Sequence, residues 1–121
     1  MATKILVVDD DELVLIALKE LLTPIGNEVT TASNGDDALE KLTRITFDLL
    51  ILDILMPGMN GFELCQKIRA IEQYKFVPII MLTAKSGSDD KKRGMEADAN
   101  MFLPKPIAPQ QLINLVKKSL E

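Results

Sequence analysis

Ile5-Leu6-Val7-Val8-Asp9-Asp10-Asp11 is the stretch on which the reading of the fold turns. Four apolar residues, three of them β-branched, run without interruption into three aspartates, as expected of a strand buried on both faces that ends abruptly at a polar edge. Working outward, runs of the same kind recur at Leu49 to Leu52 and at Val77 to Leu82, with weaker ones at Glu28 to Ala32 and Asn100 to Leu103. Between them the spacing is helical: Val14, Ala17, Leu18 and Leu21, then Ala38, Leu39 and Leu42, then Cys65 and Ile68. A last helix is predicted from about Pro109 to Leu120, with proline in its first turn and Leu112, Leu115, Val116 and Leu120 as its apolar stripe. Strand followed by helix, repeated along the chain, predicts an α/β fold: a parallel sheet covered by helices on both faces through right-handed crossovers. The fourth helix, roughly Ser86 to Ala97, is the weakest. Lys91, Lys92 and Arg93 crowd it and only Met95 and Ala97 look buriable, so it is the candidate moving part.

At 121 residues the chain is the size of one domain, 1–121, with no linker, repeat or low-complexity stretch. Lys and Arg number 14 against 18 Asp and Glu, and this acidic balance, without basic stripes, argues against direct contact with nucleic acid. The lone Cys65 cannot close an internal disulfide, and there is neither a signal-peptide pattern nor a membrane-length apolar run, so a cytoplasmic location is expected. The absence of histidine excludes imidazole base catalysis and hydrolytic triads within this chain. Carboxylates, hydroxyls and lysines must carry any chemistry.

In an open parallel sheet the ligand crevice lies beyond the carboxyl ends of the strands. The first strand leads into Asp9, Asp10 and Asp11, the third into Asp53, the fourth into Thr83 and Ala84, and the fifth towards Lys105. Asp9, Asp10 and Asp53 brought together repel one another unless a cation or proton compensates them. Mg²⁺ suits an all-oxygen set of this kind, held by a few carboxylates with water and phosphate oxygens completing the octahedron. A hydroxyl at Thr83 and an ammonium at Lys105 add a hydrogen-bond donor and a point charge for phosphate oxygens. The set fits phosphoryl transfer with Asp53 as nucleophile.

These blocks, together with Asp53-Ile-Leu-Met-Pro-Gly-Met-Asn-Gly61, Met81-Leu-Thr-Ala84 and Phe102-Leu-Pro-Lys-Pro106, resemble the receiver domains of two-component response regulators over nearly the whole chain. The resemblance implies a doubly wound (βα)5 flavodoxin-like fold with strand order 2-1-3-4-5. It implies that Asp53 is the phosphoacceptor, that Asp10 binds Mg²⁺ directly and Asp9 partly through water, and that the Leu55 backbone carbonyl is a further ligand. Thr83 and Phe102 would form the switch that reshapes the face of helix four, strand five and helix five, Lys105 would hold a phosphoryl oxygen, and Lys105-Pro106 would be cis. The implied donor is a histidine kinase or histidine phosphotransfer domain docking near the first helix. The implied output is a downstream protein or fused domain, through a monomer or a phosphorylation-dependent dimer. Such a domain is a phosphoacceptor that slowly loses its own phosphoryl group, not a conventional enzyme.

Four positions depart from the family pattern. Asp98 stands where Gly is usual, at a left-handed helix end, and Ile107 replaces an aromatic residue. Leu55 and Lys85 occupy positions that vary together with hydrolysis rate, and Leu55 has no group to orient a water, which suggests a long-lived phosphorylated form.

Taken singly, the motifs have ordinary readings. Asp11 is a good N-cap, Pro57-Gly58 and Asn60-Gly61 are turn formers, and Cys65, Met56, Met59, Met81 and Met95 read as core filler. Three other functions share parts of the pattern. A flavodoxin-like electron carrier would need a phosphate cradle where Asp9 to Asp11 stand, and a Mg²⁺ phosphohydrolase generally has a second acid just after the nucleophile, which Ile54 and Leu55 do not supply. A receiver-like interaction module acting without phosphorylation would have no use for the retained Asp9, Asp10, Asp53, Thr83 and Lys105. The end of the chain after the fifth helix suits a single-domain regulator and equally a receiver from a longer protein.

Overall fold

The computed structural model describes residues 2–83 and 88–121, with residues 88–91 as backbone only. Five parallel strands, β1 (Thr3–Val8), β2 (Asn27–Ala32), β3 (Leu49–Asp53), β4 (Ile79–Thr83) and β5 (Met101–Pro104), lie in the order β2-β1-β3-β4-β5. Between and after them run α1 (Glu12–Leu22), α2 (Gly35–Arg44), α3 (Gly61–Arg69), α4 (Ser88–Glu96) and α5 (Pro109–Ser119). The doubly wound arrangement and strand order are as expected.

The apolar strands are continuous because both faces of the sheet are covered. Ile5, Val7, Leu49, Ile51, Ile80, Leu82 and Leu103 point towards α1 and α5, packing on Leu15, Leu18, Leu22, Leu112 and Val116. Leu6, Val8, Leu50, Leu52, Ile79 and Met81 point the other way, onto Ala38, Leu42, Phe62, Leu64, Cys65 and Ile68 of α2 and α3 and Ala97 after α4. Alternate residues of one strand therefore feed two cores.

Local chemistry starts the helices where the strands end. Asp11 caps α1 by accepting from the Leu13 N–H at 2.9 Å, and Asn34 caps α2 by accepting from the Asp37 N–H at 2.8 Å. Asn60 and Glu63 close a reciprocal capping box at α3, and Pro109 opens α5.

Several boundaries and faces differ from expectation. β4 begins at Ile79, because Pro78 lacks an N–H for a strand paired on both sides; its carbonyl instead accepts from Leu50. Asn100 is not part of β5, and its side chain accepts from the Ile79 N–H. In α1 the buried stripe is Leu15, Leu18 and Leu22, whereas Val14 and Leu21 are half-buried and Ala17 is exposed. That helix is apolar on more than one face, so periodicity alone offers two stripes. Leu120 follows α5 and lies at the surface. Met56 and Met81 are buried and Met59 partly so, but Met95 is 67% exposed; Gly94 of α4 and Ala97 just after it are buried instead. The expectations for Ala84, Lys85, Ser86 and the Lys91 side chain lie outside the described residues. Cys65 is core, its thiol donating to the Ala97 carbonyl and pushed by burial up to about 11.

Arg69, at the end of α3, ties the far edge of the sheet together. Its guanidinium donates to the carbonyls of Asp98, Tyr74 and Val77 and to Asn100 Oδ1. Asp98 has φ of 67°, the left-handed conformation expected for a position usually occupied by Gly. Asp98→Gly should relieve this conformation while leaving its carbonyl available to Arg69, raising unfolding stability by about 0.5–1 kcal/mol in urea titrations. An unchanged or lowered midpoint would show that the Asp side chain contributes more than the backbone costs.

Candidate phosphoacceptor and metal site

The crevice beyond the carboxyl edge is built by three adjacent strands. β1 delivers Asp9 and Asp10, β3 ends on Asp53, and β4 ends on Thr83; across the sheet Asp53 is paired with Leu82, and Thr83 with Pro104. The Lys105 N–H donates to the Thr83 carbonyl at 2.8 Å, which fixes the start of the loop carrying the lysine. The Lys105-Pro106 peptide is cis.

Asp9 and Asp53 are almost fully buried, with 0% and 3% exposure, and Thr83 beside them has 1%. Asp10 is exposed at the mouth. One carboxylate oxygen from each of Asp9, Asp10 and Asp53 lies within 4.8 Å of the others. The Lys105 ammonium bridges two of them, 3.0 Å from Asp9 Oδ2 and 3.1 Å from Asp53 Oδ1. Asp9 is further held by the Asp11 N–H, which donates to its other oxygen at 2.9 Å.

Burial raises the Asp53 pKa first, the negative charge of Asp9 next and that of Asp10 to a smaller degree; the hydrogen bond and charge of Lys105 oppose them, leaving the carboxyl pushed up to about 6. For Lys105, partial burial works against the ammonium, but the hydrogen bonds and charges of Asp9 and Asp53 outweigh it and hold its pKa above the ordinary lysine value. The site is thus short of positive charge. The three carboxylates offer oxygen donors only, and their mutual separations accommodate the roughly 3–4 Å between ligands of a small octahedral cation. The donor set fits Mg²⁺ and does not fit a soft metal.

Of the other expected site residues, Leu55 lies two positions beyond Asp53 with its side chain 69% exposed. Phe102 is half-buried on β5 and packs against the core beneath α2 and α3. Gly61, expected as a turn former that closes the Asp53 to Gly61 block, also belongs to the framework of this crevice. Its N–H donates to the Ile54 carbonyl at 2.9 Å, and a Cβ there would overlap the Asp53 carbonyl oxygen and come within 2.8 Å of Ile54 Cα. Close backbone approach of α3 to the end of β3 requires glycine, and no spacing rule announces it.

The geometry defines a class: doubly wound α/β domains with an acidic, lysine-bridged crevice at the sheet's carboxyl edge. Residues 5–117 match the sequence family described as the response regulator receiver domain, and the chain belongs to it. It is 40% identical over 120 residues to the alkaline phosphatase synthesis transcriptional regulatory protein PhoP of Bacillus subtilis, covering 99% of this chain and 49% of that protein. The chain spans about half the length, or less, of the curated relatives it matches. Among solved structures, the chemotaxis protein CheY4 of Vibrio cholerae superposes with a TM-score of 0.95 at 37% identity, over 99% of this chain and 100% of that one. A putative response regulator from Chloroflexus aurantiacus also gives 0.95, at 40% identity, over 99% and 98%. This is a receiver domain of two-component signalling.

Because the folded Asp53 pKa stands above the unfolded value near 4, the folded state binds the extra proton between about pH 4 and 6. Its contribution to stability is present below pH 4 and is lost as pH rises through 6. Without divalent cations, Asp53→Asn should therefore be more stable than wild type above pH 6, by on the order of 1–2 kcal/mol, with the gap closing towards pH 4. Thermal unfolding across that range reads it; a gap independent of pH would contradict the assigned cause.

Proposed function

We propose that Asp53 accepts a phosphoryl group from a phosphohistidine on a histidine kinase or histidine phosphotransfer domain. The observation that carries this reading is the Lys105 ammonium shared between buried Asp9 and Asp53, with Asp10 at the mouth. An Asp53 carboxylate oxygen attacks phosphorus, the P–N bond breaks, and the imidazole nitrogen keeps the electron pair. Asp9, Asp10, Asp53 and the Leu55 carbonyl are the residues to hold Mg²⁺, which when bound supplies positive charge for the phosphoryl oxygens. Lys105 donates to one of those oxygens, exchanging a carboxylate partner for a phosphoryl one, and the Thr83 hydroxyl donates to another. Burial of Asp53 limits the access of water to the acyl phosphate.

Thr83 and Phe102 form the switch, and the face of α4, β5 and α5 changes its affinity for a downstream protein or output domain. The ligand's preference for one of two conformations sets the size of that change. An apolar groove of about 380 Å³ between α1 and the loop after β5, lined by Leu13, Val14, Ala17, Leu21, Ile107 and Pro109 with Lys105 at its rim, supports donor docking beside the first helix. Among the described residues no helix is long and apolar enough to cross a membrane, in keeping with a cytoplasmic role. The domain acts as a monomer or a phosphorylation-dependent dimer, without direct contact to nucleic acid. It is a signalling module whose own chemistry stops at acceptance and slow self-hydrolysis.

Intact mass after incubation with acetyl phosphate is the decisive test. The expected result is a gain of one phosphoryl group that requires Mg²⁺, disappears in Asp53→Asn and falls by about tenfold or more in Lys105→Ala. No gain in folded protein with Mg²⁺ present would leave an interaction module that works without phosphorylation.

The lifetime of the product gives a separate prediction. With no side-chain group at Leu55 to orient water, Leu55→Asn should shorten the half-life of phospho-Asp53 several-fold in a chase without donor. An equal or longer half-life would remove Leu55 as the cause of slow hydrolysis.

A further inference from the structure

Glycine inside a helix costs stability relative to alanine, and α4, already the most polar of the helices, carries one at Gly94. The backbone does not require it, since among the described residues the glycines with positive φ are Gly26 and Gly58. Space does. A Cβ built at Gly94 would overlap Phe102 Cε1, lie 2.9 Å from Cζ of the same ring and stand 3.3 Å from Met81 Sδ. Gly94 is buried although its neighbours Arg93 and Met95 are exposed. Its carbonyl accepts from both the Ala97 and Ala99 N–H groups, at 3.1 and 2.9 Å, so the ring rests where α4 is tied into the turn leading to β5.

The surrounding contacts show why a shift of the ring cannot stay local. Arg93 lies 4.2 Å over the Phe62 ring of α3, Cys65 donates to the Ala97 carbonyl at 3.1 Å, and Arg69 donates to the Asp98 carbonyl at 2.9 Å. The end of α4 is therefore held against α3, and the Phe102 ring fills the space between that end and β4.

We propose that Gly94 is a positioning residue of the switch: its bare backbone forms one wall of a slot, with Met81 as another, that admits the Phe102 ring to its inward seat. The ring and a side chain at position 94 compete for the same volume, so the seating of Phe102 and the position of α4 are one coupled variable. This rests on the receiver reading for its biological use, but the slot itself can be tested without phosphate.

The experiment uses the full chain labelled with 4-fluorophenylalanine, whose resonances come from Phe47, Phe62, Phe76 and Phe102, with Phe102 assigned through Phe102→Leu. Phe76, 92% exposed, and Phe47, 3% exposed, supply solvent and core references for the fluorine H₂O/D₂O isotope shift. In Gly94→Ala the Phe102 isotope shift is expected to move towards that of Phe76, while Phe47 keeps its core value and reports an intact fold. Adding Mg²⁺ and acetyl phosphate should increase the seated fraction of Phe102 in wild type and fail to do so in Gly94→Ala. An unmoved Phe102 resonance in folded Gly94→Ala overturns the proposal, as does equal seating on phosphorylation.

Thermal unfolding of a double-mutant cycle decides the matter even if Gly94→Ala folds poorly. Gly94→Ala should lower the midpoint beside Phe102 and leave it unchanged or higher in a Phe102→Ala background, where the slot is empty. The same decrease in both backgrounds would refute the slot. If wild type takes up no phosphoryl group, the receiver mechanism fails while the unphosphorylated spectra and the cycle still decide the role of Gly94.

Discussion

Two carboxylates, Asp9 and Asp53, end adjacent strands with almost no exposure to water, and the apolar sheet beneath them cannot solvate their charge. Among the described residues a single cation, Lys105, reaches both. Removing one member of such a group strands its partner, which is why buried charge clusters constrain everything around them. The parallel order makes the cluster possible: β1 and β3 are neighbours, so their carboxyl ends open side by side, and β4 then β5 bring Thr83 and Lys105 to the same edge. The Lys105 ammonium offsets only part of the negative charge, and burial first, then the charge of Asp9, keeps the Asp53 pKa raised.

That residual deficit links structure to chemistry. A cluster whose negative charge is only partly offset gains from a divalent cation, and an incoming phosphoryl group, itself anionic, adds to that need. The same lysine that bridges Asp9 and Asp53 is the one proposed to donate to an incoming phosphoryl oxygen. Asp11, which caps α1 and whose N–H restrains Asp9, ties the acid cluster to the helix beside which the donor is proposed to dock.

Much of this was legible in the chain because the relevant signals are local or positional. Runs buried on both faces, such as Ile5 to Val8, announce strands without ambiguity, and the first polar residue after each run marks the crevice. The left-handed Asp98 and the cis bond before Pro106 followed from family resemblance and are present. What escaped depends on volumes and on distant partners. Leu15 and Leu22 could not be chosen over Val14 and Ala17 in a helix apolar on several faces. Met95 passed for core because hydropathy says nothing of which way α4 turns, and Gly94 beneath it carries no hydropathy signal at all. Nothing in the sequence singles out Arg69, whose partners are carbonyls from Tyr74, Val77 and Asp98.

The two cores on either side of the sheet differ in what they can transmit. Towards α1 and α5, aliphatic side chains from Ile5, Val7, Leu49 and Ile51 interlock with Leu15, Leu18, Leu112 and Val116, a packing with no polar atom to reorganise. Towards α4, the contacts are of another kind: an arginine over an aromatic ring, a thiol on a carbonyl, a ring against a bare glycine. Close-packed aliphatic layers resist partial displacement. The proposed signal from Asp53 and Thr83 through Phe102 would meet the second kind of contact on its way to α4.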